Sequence, residues 1–170
     1  MSDESVAVNA LPSVEVSQSP EDKFGEYLAS RPRPQRYTPQ RRKMVRYIFS
    51  KHNHFDADAL IDEMKREGLN VSRPTIYRTL KKLVDAGLLR RINLGERTVF
   101  EHDYGYAQHE HLYCEQCGTM IEFAEPQLEK IIQEVSAQHG FHHAGHTFVI
   151  RGMCQSCNRA RTLKRRLDLV

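Results

Sequence analysis

Two Cys-x-x-Cys pairs, Cys114-Glu115-Gln116-Cys117 and Cys154-Gln155-Ser156-Cys157, stand 36 residues apart and restrict this chain more than any other feature. Two thiolates three positions apart can grip one ion from a tight turn, and two such turns complete a tetrahedron of soft ligands that suits zinc. Free buried thiols or a redox pair are the alternatives, and the doubled spacing favours zinc. Four protein ligands leave no open position, so the ion is expected to be structural. The intervening stretch is long for a zinc ribbon. The ion therefore ties together the ends of a strand-helix-strand unit.

The composition is that of an ordinary globular protein, 39% hydrophobic and 28% charged. No window approaches the roughly 18 apolar residues of a membrane span. Met1 to Pro20 has neither the basic start nor the apolar run of a secretory signal, which points to the cytoplasm and to metal rather than disulfides. Charge is segregated. From Arg31 to Arg97 there are 17 Lys and Arg against 7 Asp and Glu, while the remainder holds 8 against 15. A basic half attracts polyanions, and the asymmetry suggests two domains with different tasks.

Residues 1–18 lack pattern and read as a disordered tail. Ser19-Pro20-Glu21-Asp22 and Thr38-Pro39 are helix starts, flanking a stiff basic linker, Arg31-Pro32-Arg33-Pro34. Met44, Val45, Ile48 and Phe49 form the apolar face of the second helix. Asp56 caps a third with Leu60, Ile61 and Met64 inside. Ser72 caps a fourth, where Ile76, Leu80, Leu83 and Val84 make an amphipathic stripe ending near Gly87. Runs from Leu88 to Leu94 and Arg97 to His102 flank a Gly95-Glu96 turn. This order is a winged helix-turn-helix over residues 19–103.

Residues 107–170 change character. Strands are expected over His109 to Cys114, Thr119 to Phe123 and Thr147 to Arg151. Helices are expected over Glu125 to His139, with Leu128, Ile131, Ile132 and Val135 on one face, and over Arg159 to Arg166. The expected class is α+β: a winged helix followed by a small α/β dimerisation domain stapled by the four-cysteine site.

Opposite the stripe of the fourth helix lie Arg73, Tyr77 and Lys81, with Arg78 and Lys82 beside them. Arg and Lys neutralise phosphates or bond guanine edges, and Tyr offers a hydroxyl and a ring that meets a thymine methyl. A helix-turn-helix lays its second helix in the major groove, and Arg90 and Arg91 belong to the wing beside it. The expected partner is double-stranded DNA.

His109-Glu110-His111 precedes the first knuckle. In a strand, His109 and His111 share one face and Glu110 takes the other, so one strand can serve two sites. With Glu101 and Glu122 nearby in the expected topology, Fe(II), Mn(II) or Zn(II) would suit; solvent-exposed histidines are the alternative.

Three segments together identify a relationship: Arg73-Pro74-Thr75-Ile76-Tyr77-Arg78-Thr79-Leu80, His109-Glu110-His111-Leu112-Tyr113-Cys114-Glu115-Gln116-Cys117-Gly118 and Gly152-Met153-Cys154-Gln155-Ser156-Cys157. From about Tyr37 to Cys157 the chain resembles the ferric uptake regulator family. The resemblance implies a homodimeric, metal-loaded repressor of palindromic operators, with Arg73, Thr75, Tyr77, Arg78 and Lys81 on the DNA. It implies that Cys114, Cys117, Cys154 and Cys157 hold the structural Zn(II), and that His54, Glu101, His109, His111 and Glu122 form a regulatory site. A further site in the dimerisation domain is matched by Glu110, Glu129 and His146, but its usual fourth ligand, a histidine, is Gln108 here.

Members of the family sense iron, zinc, manganese, nickel or peroxide. Peroxide sensors resemble this pattern with Asp where Glu122 stands, and zinc sensors often add a cysteine. Fe(II) is therefore the first expectation for the regulatory ion, with Mn(II), Co(II) or Zn(II) able to substitute; a zinc- or peroxide-sensing member is the alternative. A non-haem iron enzyme, the reading from another class, would need more strands and an open ligand position.

Overall fold

The computed structural model describes residues 14–51 and 54–167, which divide into two compact units, residues 14–107 and 108–167. The class is α+β, as the sequence implies.

The first unit opens with four helices, α1 (Pro20–Ser30), α2 (Pro39–Phe49), α3 (Ala57–Arg66) and α4 (Arg73–Asp85). Three begin on the side-chain caps expected. Ser19 Oγ accepts from Asp22 N–H, Thr38 Oγ1 from Arg41 N–H and Asp56 Oδ1 from Ala59 N–H. Ser72 occupies the cap position of α4 without capping it; its hydroxyl pairs instead with Thr75 Oγ1 at 2.9 Å. Phe24, Leu28, Met44, Val45, Ile48, Leu60, Met64, Ile76, Leu80 and Leu83 interlock as the core.

The wing follows as an antiparallel hairpin of β1 (Leu89–Leu94) and β2 (Arg97–His102), turned at Gly95, whose φ of 81° only glycine adopts cheaply. The first strand starts one residue later than the apolar run suggests. Leu88 N–H bonds to Leu83 O and Gly87 N–H to Val84 O, the paired bonds of a Schellman C-cap, with Gly87 at φ 64°. Leu88 therefore finishes the helix.

The expected tail, residues 1–18, lies outside the described residues up to 13. Its remainder is tied down: Val14 N–H donates to Gly105 O at 2.8 Å and the Tyr104 hydroxyl to Gln18 O at 3.3 Å.

The second unit is a three-stranded sheet in the order β4-β3-β5, formed by β3 (Glu110–Cys114), β4 (Met120–Phe123) and β5 (Val149–Gly152). β3 runs antiparallel to β4 and parallel to β5, and α5 (Pro126–Gln138) supplies the crossover between β4 and β5. The last helix, α6 (Gln155–Leu167), begins inside the second cysteine knuckle rather than at Arg159, because nothing from Gln155 onward breaks a helix.

This unit has almost no apolar core. Among the described residues, Cys114 is its only buried hydrophobic; the rest of the apolar core belongs to residues 14–107. No side chain of α5 is buried, and Ile131 and Val135 of its apolar face are half exposed. The register aligns Ile121, Leu112 and Ile150 in one row across the sheet, and all three are exposed. The amphipathic pattern is real, but what it packs against is absent from the unit itself.

Candidate metal centres and nucleic-acid interface

The four cysteine sulfurs lie within 4.8 Å of one another. Cys117 Sγ and Cys154 Sγ are 3.8 Å apart. A tetrahedral zinc with ligands at about 2.3 Å requires edges of about 3.8 Å. All four are free thiols, and that separation is far from a disulfide bond. Local structure favours thiolates: Cys154 N–H donates to Cys114 Sγ at 3.3 Å, and this donor, with N–H groups of the first knuckle, lowers the Cys114 thiol to about 6. Cys157 is pushed up to about 12, chiefly by the sulfurs of Cys154 and Cys117 beside it. Four sulfurs gathered at this spacing are a donor set that fits zinc. Gly118, at φ 75°, lets the first knuckle turn back so that its N–H reaches Cys114 O.

On the same strand, His109 and His111 bring their ring centroids to 4.9 Å, and His111 faces Glu122 across β3 and β4. Ligand atoms of His109, His111 and Glu122 lie within 4.8 Å of one another, and both imidazoles are buried. His109 achieves this from just ahead of the strand, which begins at Glu110. Two imidazoles and a carboxylate fit Fe(II), Mn(II) or Zn(II). Glu110 points away from this cluster, with Oε1 2.6 Å from His146 Nε2, and Glu129 lines the same cavity as that pair. In the winged unit, His54 Nε2 is 2.9 Å from Glu101 Oε2.

Along α4, Arg73, Tyr77, Arg78 and Lys81 are exposed, opposite the core stripe. Tyr77 shows 48% of its surface. Thr75 is half-buried at the helix start, its hydroxyl already paired with Ser72. Asp58, unremarkable in sequence as a first-turn acid of α3, accepts on one oxygen from Arg73 Nη2 at 2.6 Å and from the Tyr77 hydroxyl at 3.2 Å. Desolvation and this carboxylate raise the Tyr77 phenol, keeping it a donor. The wing divides differently from expectation. Arg91 is exposed, whereas Arg90 is largely buried against Glu101 and Asp103. Arg97 lies 2.9 Å from Asp56, and with Tyr77 and Arg91 it lines an open groove of about 620 Å³. Lys82 is held below the usual lysine range by desolvation and by Arg41, Arg78 and Arg31. A polyanion would relieve that repulsion.

A winged helix with a basic reading face, joined in one chain to thiolate and imidazole metal clusters, defines a metal-responsive DNA-binding repressor. The chain matches the ferric uptake regulator family over residues 33–151, and it belongs to that family. It is 36% identical over 148 residues to the peroxide-responsive repressor PerR of Staphylococcus aureus, across 85% of this chain and 97% of the relative. The ferric uptake regulator of Francisella tularensis with iron superposes with a TM-score of 0.62 at 25% identity, covering 73% of this chain and 95% of the other. The regulator of Pseudomonas aeruginosa with manganese gives 0.62 at 27%, covering 71% and 90%. These relatives are regulators, and the enzyme reading is set aside. Iron sensing, the first expectation, draws less support from them than the alternative within the family. Among the described residues no helix is long and apolar enough to cross a membrane.

Tyr77→Phe and Arg78→Ala are expected to weaken operator binding by about 1–3 kcal/mol each if they touch bases. Lys81→Ala is expected to act evenly across sequences and to lower the salt slope by about 1. Fluorescence anisotropy over a salt series measures both, and unchanged affinity in all three would show that another face reads the DNA.

Proposed function

We propose that the chain is a homodimeric repressor of a palindromic operator, bound to DNA when a regulatory ion is present and released by peroxide. The observation that carries the signal is the 36% identity over nearly the whole length of a peroxide-responsive repressor. In this reading Zn(II) on Cys114, Cys117, Cys154 and Cys157 is structural. His109, His111 and Glu122 hold a regulatory Fe(II) or Mn(II), with His54 and Glu101 as the winged unit's ligands to it. When bound, the ion supplies positive charge to donors drawn from both units, so that its affinity differs between their arrangements. Only that difference can shift the population able to bind DNA.

The row Ile121, Leu112, Ile150 and the open face of α5 support a second copy as the partner. Leu112→Glu is expected to convert a dimer to a monomer in sedimentation while leaving the winged unit folded. A mutant that stays dimeric would place the interface elsewhere.

Glu122, where peroxide sensors have Asp, favours the second reading, in which iron supply itself is the signal. The zinc-loaded protein should be charged anaerobically with Fe(II) or with Mn(II), tested for operator binding, and exposed to equal peroxide. Peroxide sensing expects loss of binding from the Fe(II) form alone, because Mn(II) does not reduce peroxide readily at such a site. Iron sensing expects both forms to stay bound.

A further inference from the structure

We propose that Asp58 is a specificity-determining residue of the DNA interface: it holds Arg73 back from phosphates and fixes the Tyr77 hydroxyl, so that α4 reads sequence rather than gripping every duplex. This rests on α4 reading DNA and goes beyond it in naming a residue of another helix that sets how α4 reads.

Asp58 stands in the first turn of α3, where the positive end of the helix favours a carboxylate. Arg73 opens α4 and Tyr77 follows one turn later, so the two share a face. The first turn of α4 contains no acid of its own. The carboxylate comes instead from α3, and one oxygen meets both side chains: Asp58 Oδ1 accepts from Arg73 Nη2 at 2.6 Å and from the Tyr77 hydroxyl at 3.2 Å. Asp58 and Arg73 are 67% and 61% exposed, and Asp58 lines the same open groove as Tyr77. An ion pair this exposed adds little to the fold. Its consequences fall on the DNA.

Two effects follow, and they separate. A phosphate reaching Arg73 competes with Asp58 and meets its negative charge, which weakens binding to every duplex alike. Tyr77 has one hydroxyl hydrogen, committed to Asp58, and desolvation and this carboxylate raise the phenol so that it keeps that hydrogen. Towards a base it therefore offers oxygen lone pairs and its ring. Those suit the exocyclic amine of adenine or cytosine, or the thymine methyl, and reject the acceptor edge of guanine. Without Asp58 the hydroxyl turns freely and serves donors and acceptors equally.

The test uses the full-length, zinc-loaded protein with saturating Mn(II), a duplex that the wild type selects from a random pool, and a scrambled duplex of the same length. Anisotropy over a salt series gives both affinities. Asp58→Ala is expected to bind the scrambled duplex about fivefold more tightly, with a salt slope steeper by about 1 as Arg73 gains a phosphate. Its preference for the selected duplex is expected to fall about fivefold or more, the size of one lost base contact. Asp58→Asn keeps the acceptor oxygen and loses the charge, so it is expected to gain affinity for both duplexes and retain most of the preference. In a Tyr77→Phe background, Asp58→Ala is expected to cost no further preference. Unchanged preference or unchanged scrambled-duplex affinity in Asp58→Ala, or an equal loss of preference without the Tyr77 hydroxyl, would overturn the role of Asp58 while leaving α4 as the reading helix. A wild type that selects no sequence would overturn both.

Discussion

Cys117→Ser is expected to unfold residues 108–167, with loss of zinc and of the dimer, while the winged unit keeps its helical signal. The reason lies in how differently the two units are built. The first encloses Leu80, Leu83, Met44, Phe24 and their neighbours, whereas the second buries Cys114 alone among its described apolar side chains. Structural zinc binds with an apparent free energy of roughly 10–16 kcal/mol in small domains, and that energy is folding energy. Whole domains are stable by only about 5–15 kcal/mol. With one thiolate gone there is no apolar core to take over. Zinc content, sedimentation and thermal unfolding followed by circular dichroism measure the outcome. A stable dimer without zinc would contradict the structural assignment.

His111→Ala is expected to remove the response to metal and little else. His111 is 1% exposed, faces Glu122 across the strand pair and sits three residues before Cys114. It is thus anchored beside the cysteine knuckle without belonging to it. Its loss removes an imidazole from the regulatory cluster and no group from the DNA face, so unstimulated operator binding, zinc content and mass are expected to stay at wild-type values. Coupling free energies between sites are typically about 1–3 kcal/mol, a five- to 150-fold change in affinity. That factor is expected to fall to about one.

What could be read in the sequence was local. Ser19, Thr38 and Asp56 announce their helices because a cap and the amide it serves lie three residues apart. The sulfur quartet was legible from spacing, and so was the division of His109 and His111 from Glu110. Ser72, which pairs with Thr75 instead of capping α4, is a local failure; others involve partners far apart in sequence. Arg90 looked like a wing cation until Asp103 and Glu101 were seen to hold it. Asp58 meets Tyr77 across 19 positions. The stripe on α5 shows the subtler limit. Periodicity announces an apolar face, but the same pattern serves a chain's own core or a second copy, and here its own unit leaves it open.

An ion on the histidine cluster is expected to control operator binding, with zinc holding the scaffold throughout. The most direct measurement is the operator affinity of the zinc-loaded protein with and without saturating Mn(II), which avoids redox side reactions. Tighter binding with Mn(II), by about five- to 150-fold, is expected at constant zinc content and mass. Equal affinity in the two conditions, with Mn(II) shown to be bound, would contradict it.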